Sequence, residues 1–96
     1  MDKRLNEIAL HHGLEAQLDQ TVEECSELIL AIQKYKRHGN KDDGFDTYYL
    51  AQVGEEIADV DIMVKQLKIL IESFDFETFE NGKIVRELGR MKEAKP

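Results

Sequence analysis

Two long stretches of this chain repeat apolar residues at the period of an α-helix, with no proline inside either one. In the first, Leu14, Leu18, Thr21, Cys25, Leu28, Ile32 and Tyr35 fall in one stripe. In the second, Val53, Ile57, Val60, Val64, Leu67 and Ile71 do the same. A strand would scatter such residues over both faces, whereas a helix gathers them on one. Each stripe then has to be buried, against the other or against a further surface. The pattern therefore predicts an all-α fold: an antiparallel helical bundle of about four helices.

Punctuation divides the rest of the chain. Gly13 separates a short helix, about Asp2 to His12, from a long one, about Leu14 to Arg37. The run Gly39-Asn40-Lys41-Asp42-Asp43-Gly44 predicts a loop from Gly39 to Asp46. A second long helix is expected from about Thr47 to Ser73, with Asp46 or Thr47 as its N-cap. A last helix covers about Phe76 to Glu93, its early turns weakened by Asn81-Gly82. The 96 residues form a single domain, 1–96, with no room for a second core. Helical chains this short often complete their core by oligomerising.

Each long helix also carries a pair of acids spaced i, i+3: Glu24 with Glu27, and Glu56 with Asp59. When the two stripes are laid over one another, Glu23-Glu24 falls on Glu55-Glu56 and Glu27 on Asp59. Leu28 then falls on Val60 and Ile32 on Val64. Each pair thus stands in the same relation to its own stripe, on its margin. An antiparallel hairpin of the two helices would let these margins face each other across a groove. Glu23 and Glu55 point further out, as solvated neighbours. Four carboxylates brought together are costly without a cation, and a hard divalent metal such as Mg2+ prefers oxygen ligands.

Composition removes several alternatives. A formal net charge of −7 argues against a nucleic-acid polymer held on a broad basic surface. No apolar run reaches the length of a membrane span, because Asp59, Asp61, Lys65, Gln66 and Lys68 interrupt the best one. The single cysteine, Cys25, excludes a disulfide scaffold and fits a reducing compartment. A soluble cytoplasmic protein is expected. No Walker-type glycine loop, C-x-x-C pair or Ser/His/Asp signature is present.

The segment Thr21-Val-Glu-Glu-Cys-Ser-Glu-Leu-Ile-Leu-Ala-Ile-Gln-Lys-Tyr-Lys-Arg37 resembles the first motif helix of the MazG-like, all-α nucleoside triphosphate pyrophosphohydrolases. Glu55-Glu-Ile-Ala-Asp-Val-Asp-Ile-Met-Val-Lys-Gln-Leu-Lys-Ile-Leu-Ile71 resembles the second. Lys83-Ile-Val-Arg-Glu-Leu-Gly-Arg90 is similar to the basic final helix of small phage and bacterial members. The resemblance covers about residues 14 to 92. It implies hydrolysis of (deoxy)nucleoside triphosphates between the α- and β-phosphates, giving monophosphate and pyrophosphate. It further implies Glu24, Glu27, Glu56 and Asp59 as ligands to Mg2+, with Mn2+ as a substitute, and a homodimer or homotetramer. Glu27, with Glu24 beside it, is the candidate to act on water as general base. Lys34, Lys83 and Arg86 are candidates for the phosphates, with Arg90 a turn further on. Tyr35, Tyr48, Tyr49 or Phe45 would stack the base, because the chain has no tryptophan.

Three other features have plainer readings. Asp61 is expected to make a hydrogen bond or ion pair. His11-His12 fit a helix C-terminus, since adjacent helical residues diverge by about 100° and share a metal poorly. Cys25 and Met63 read as core, Met63 also as a pocket wall. The rival to the enzyme is a non-catalytic helical oligomerisation or adaptor module, or a nucleotide-binding sensor on the same fold.

Overall fold

The computed structural model describes residues 2–39 and 46–94. Four helices appear in the expected order: α1 (Lys3–His12), α2 (Leu14–Lys34), α3 (Asp46–Leu70) and α4 (Phe76–Glu93). No strand occurs among the described residues. The fold is all-α.

Local chemistry accounts for the helix ends. Asp2 lies just outside α1 as its cap, its carboxylate accepting from the Arg4 backbone N–H at 2.9 Å. Between α1 and α2 the chain turns at Gly13, whose φ of +85° is a backbone conformation that side chains resist. α2 is shorter than expected. It ends at Lys34 and continues as a π-helical turn, Tyr35–Gly39, entered where the Tyr35 N–H is shared between the Ala31 and Ile32 carbonyls. α3 begins at Asp46, so Asp46 and Thr47 lie within the helix instead of capping it; of the predicted loop, Gly39 belongs to the π-helical turn and Asp46 to α3, and residues 40–45, with the cap position, lie outside the described residues. α3 stops at Leu70, short of Ser73. α4 is capped by Asp75, which accepts from the Thr78 N–H at 3.2 Å and from its hydroxyl at 2.6 Å. Asn81-Gly82 does not interrupt it.

α2 and α3 form an antiparallel pair, and α1 packs across both. Their shared interface is built from small and polar residues. Ala31, Met63, Gln17 and Gln66 are buried there, with Gln66 only 2% exposed.

The two expected stripes meet the interface along one margin only: Thr21, Cys25, Leu28 and Tyr35 on α2 and Val53, Val60, Leu67 and Ile71 on α3 are half-buried, while Leu14, Leu18, Ile32, Ile57 and Val64 are exposed, and a further apolar line lies beyond them. Leu18, Val22 and Ile29 on α2 stay exposed, as do Leu50, Ile57 and Val64 on α3. At 100° per residue, the line of Leu18, Val22 and Ile29 and that of Leu50, Ile57 and Val64 each lie roughly 135° round the helix from the line that faces the other helix. The sense of rotation is the same in both. In an antiparallel pair, this puts both lines on one side, as one continuous apolar face.

α4 meets the body only near its first turns. Lys68 Nζ sits 5.7 Å above the Phe76 ring, and Phe74 stacks on Phe76 and Phe79. No residue of α4 is buried. The radius of gyration is 17.2 Å, against about 12–13 Å for a compact chain of this length. The accessible surface of 7727 Å² exceeds the roughly 5,700 Å² of a typical folded monomer of this mass.

Candidate functional site

Three of the four expected carboxylates converge. Glu24 and Glu27, a turn apart on α2, meet Glu56 of α3, and one oxygen from each lies within 4.8 Å of the others. The antiparallel register makes this possible by setting the middle of α2 against the middle of α3. Asp59, one turn beyond Glu56, is exposed and stands outside this group of three. Its charge still bears on Glu56.

The electrostatics are unbalanced. Partial burial pushes the Glu56 carboxyl above its ordinary value, and the charges of Glu27, Asp59 and Glu24 push it further in that order. A hydrogen bond that the protonated acid donates to Glu27 acts the same way. One oxygen of Glu24 is held by the Gln20 amide at 2.9 Å. Its Oε2, and Oε2 of Glu56, are buried atoms with no hydrogen-bond partner among the described residues. Solvated surface acids normally keep both oxygens in water or paired. An all-oxygen donor set with orphaned buried oxygens fits a hard divalent cation, which would be held by Glu24, Glu27 and Glu56 with Asp59 at the margin.

A pocket of about 460 Å³ opens beside the acids, within the usual size range of small-molecule sites. Glu27, Leu30, Ala31, Lys34, Gln52, Glu55 and Glu56 line it. Lys34 therefore stands where it was expected, two turns along α2 from Glu27. Gln52 and Glu55 were not singled out from the sequence, Glu55 being read as solvated. The spacing did contain a signal for Gln52, which precedes Glu56 by one helical turn.

The other candidates separate. Lys83 and Arg86 line a different pocket of about 350 Å³, with Thr78, Phe79 and Gly82, wholly on α4. Neither reaches the carboxylates of its own chain in this structure. Tyr35 is half-buried at the start of the π-helical turn and does not line the acidic pocket. Tyr49 instead groups with Tyr48 and with His38, ring centres 5.2 and 5.8 Å away. This aromatic group lies two turns up α3 from Glu56, about 10 Å by helical rise. Its member His38 was missed because the π-helical turn that presents it has no sequence signature. Phe45 lies outside the described residues.

The plainer readings fare well. Asp61 pairs with Lys65 at 2.9 Å on the surface. His11 and His12 occupy the last turn of α1, exposed, with rings at 88°. Met63 is buried as read, whereas Cys25, read as core, is a free thiol only half-buried. No described helix is long and apolar enough to cross a membrane. Compared with known proteins, the chain matches no family model, no curated protein and no solved structure.

Proposed function

We propose that this protein is a Mg2+-dependent nucleoside triphosphate pyrophosphohydrolase of nucleotide-pool housekeeping, acting on altered or surplus (deoxy)nucleotides. The observation that carries the reading is the convergence of Glu24, Glu27 and Glu56, two with orphaned buried oxygens, at the mouth of a pocket. The likeness of both helices to the MazG-like motifs, carried by these same acids, agrees with it.

In this reading water adds to the α-phosphorus, the bond to the bridging α–β oxygen breaks, and pyrophosphate leaves. A bound Mg2+ would supply charge neutralisation of the polyphosphate and a lowered pKa for a coordinated water. Glu24, Glu27 and Glu56 would hold the cation, with Asp59 at the margin, and the free oxygen of Glu27, exposed at the pocket edge, would take the proton from the attacking water. Lys34 supplies positive charge to the phosphates from the same wall. Tyr49, Tyr48 and His38 form an aromatic group at a distance suited to a base whose phosphates sit at Glu56.

The apolar face shared by α2 and α3 makes a second copy part of the reading. The surplus accessible surface, about 2,000 Å² per chain, is of the order an obligate dimer buries. A homodimer, or a homotetramer built from two, would cover it. The lone free thiol suits a cytoplasmic setting. A purely structural module would explain the apolar face but not the orphaned oxygens.

The test is 31P NMR of the protein incubated with a panel of dNTPs and NTPs, in Mg2+ and in EDTA. Mg2+-dependent monophosphate and pyrophosphate are expected, and lost in Glu56→Gln. Orthophosphate with diphosphate would overturn α–β cleavage. No turnover and no Mg2+ binding would leave the oligomerisation module.

A further inference from the structure

We infer, on the pyrophosphohydrolase reading of the pocket, that Gln52 holds the sugar of the bound nucleotide by hydrogen-bonding its hydroxyls. That reading places the phosphates and the base and leaves the sugar between them without a residue.

At 100° per residue, Tyr48, Tyr49, Gln52, Glu55, Glu56 and Asp59 fall within a sector of about 120° on α3. This side of the helix runs from aromatic rings through an amide to acids. Glu56 marks the metal end. Gln52 lies one turn from it, about 6 Å by helical rise, and the tyrosines follow after nearly another turn. A nucleotide has the same order: phosphates, then a sugar with its hydroxyls, then a flat base. With its phosphates at the acids and its base at the tyrosines, the sugar comes level with Gln52.

The register of the two helices leaves room at this level. Fourteen residues on from Gln17 is Ala31, and fourteen back from Gln66 is Gln52. The Gln17–Gln66 pair therefore sets Ala31 opposite Gln52, and both line the pocket of about 460 Å³. Ala31 puts only a methyl group there. Of the other lining residues, Glu27, Glu55 and Glu56 are acids at the metal end, Leu30 is apolar, and Lys34 is charged. Gln52 is the one neutral hydrogen-bonding side chain of this wall, and it is half-buried.

Gln17, Gln20 and Gln66 engage their amides within the chain. The Gln52 amide makes no hydrogen bond among the described residues. It carries both a donor and an acceptor, and a sugar hydroxyl is both as well, so the two match in either sense. A site that hydrogen-bonds a substrate hydroxyl rejects the analogue that lacks it. The choice among sugars is then made at Gln52, one turn from the metal ligands and outside both acidic motifs.

Gln52→Met keeps the length of the side chain and removes both polar ends. The ribose, 2′-deoxy, 3′-deoxy and 2′,3′-dideoxy forms of each common nucleoside triphosphate are compared by kcat/KM in Mg2+. Their uncleavable α,β-methylene analogues are compared by calorimetric affinity. The wild type should favour a hydroxylated sugar over at least one deoxy form by about tenfold, the worth of one neutral hydrogen bond. Gln52→Met should level that preference in both readouts and keep the order of the bases. Gln52→Ala, which adds no new group, carries the same expectation if the methionine variant folds poorly. A hydroxyl preference that survives in the variants overturns the assignment and leaves the enzymatic reading intact. So does a wild type indifferent to both hydroxyls, or a variant that re-ranks the bases. A wild type that neither cleaves nor binds any of these nucleotides overturns the enzymatic reading, and the sugar contact with it.

Discussion

Gln17 donates its side-chain N–H to the side-chain carbonyl of Gln66 at 2.7 Å, across the α2–α3 interface, with both amides buried. Gln66 passes its own N–H on to the Ile62 carbonyl at 3.4 Å, and the Met63 sulfur lies 3.6 Å away. Beside the buried Ala31 and Met63, this pair selects one register. A slip of either helix by a turn would strand both amides and separate Glu56 from Glu24 and Glu27. The glutamines therefore set the alignment on which the acidic cluster depends.

Replacing Gln66 alone with methionine leaves the Gln17 amide buried and unpartnered, at a cost of about 1–3 kcal/mol. The double variant Gln17→Met, Gln66→Met removes both amides at nearly constant volume and should return close to wild-type stability. Urea titrations of the four chains give the coupling directly. Simple addition of the two single losses would show that the amides act independently.

Glu56→Gln should lower turnover more than about 100-fold, because several kcal/mol of metal-dependent stabilisation disappear with the ligand. Its helical content should be unchanged. In EDTA the variant should melt above the wild type, since a repelling charge has gone, and in Mg2+ the order should reverse because only the wild type gains binding energy. Circular dichroism melts in both buffers check this. A variant less stable than wild type in EDTA would mean that Glu56 is structurally paired.

The raised pKa of Glu56 has a defined signature in pH. Below its ordinary value of 4.5 the group is protonated in the folded and unfolded chains alike, and its contribution to stability is fully present. As pH rises through the elevated folded value, ionisation among Glu27, Asp59 and Glu24 removes that contribution. In EDTA the gap between wild type and Glu56→Gln should therefore be small at acid pH and widen toward neutrality. The same protonation competes with metal, so Mg2+ affinity should fall as the solution is acidified through that value. A gap independent of pH would rule out this origin.

Helical period and glycine punctuation were enough to read the helices and the meeting of Glu24, Glu27 and Glu56. They could not show which line of each helix faces the other. The stripe read on α2 runs through Leu14, Leu18, Cys25, Leu28 and Ile32, yet the α3-facing line is that of Gln17, Glu24 and Ala31, at its margin. Periodicity ranks faces by hydrophobicity, and a chain that also contacts a second surface can spend its best stripe there. Lys83 and Arg86, read as phosphate contacts from the likeness of the last helix, lie apart from the acidic pocket of their own chain, since that likeness carries no information about where α4 projects. The π-helical turn that presents His38 depends on how the end of α2 meets α3, a contact no local pattern encodes.

Lys34→Ala tests the only described cation that shares the pocket with the acids. If Lys34 contacts the phosphates equally in the ground and transition states, KM should rise about tenfold with kcat little changed, a loss near 1.4 kcal/mol. A larger fall in kcat would instead place its charge against the oxygen that develops as pyrophosphate leaves. Steady-state kinetics in saturating Mg2+ separates the two. An unaltered kcat/KM would remove Lys34 from the site.

The apolar face of α2 and α3 makes the last prediction the most exacting for the fold. Ile57 is 53% exposed at its centre, flanked by Leu50 and Val64 on the same line. Glu at this position costs a lone chain little, because the side chain would point into water. In a dimer closed over this face, two copies of the new carboxylate would be buried without partners, at several kcal/mol each. If the proposed dimer closes over this face, the wild type should show a dimer mass in light scattering at micromolar concentration and Ile57→Glu a monomer mass. The substitution should also lower the thermal midpoint and make it steeply dependent on protein concentration, as expected when folding and association are linked. The control is Leu10→Glu, at an apolar residue of α1 that is 65% exposed and away from this face, which should leave the mass unchanged. If Ile57→Glu kept the wild-type mass and midpoint, the surplus surface would have to be covered by something other than a second copy on this face.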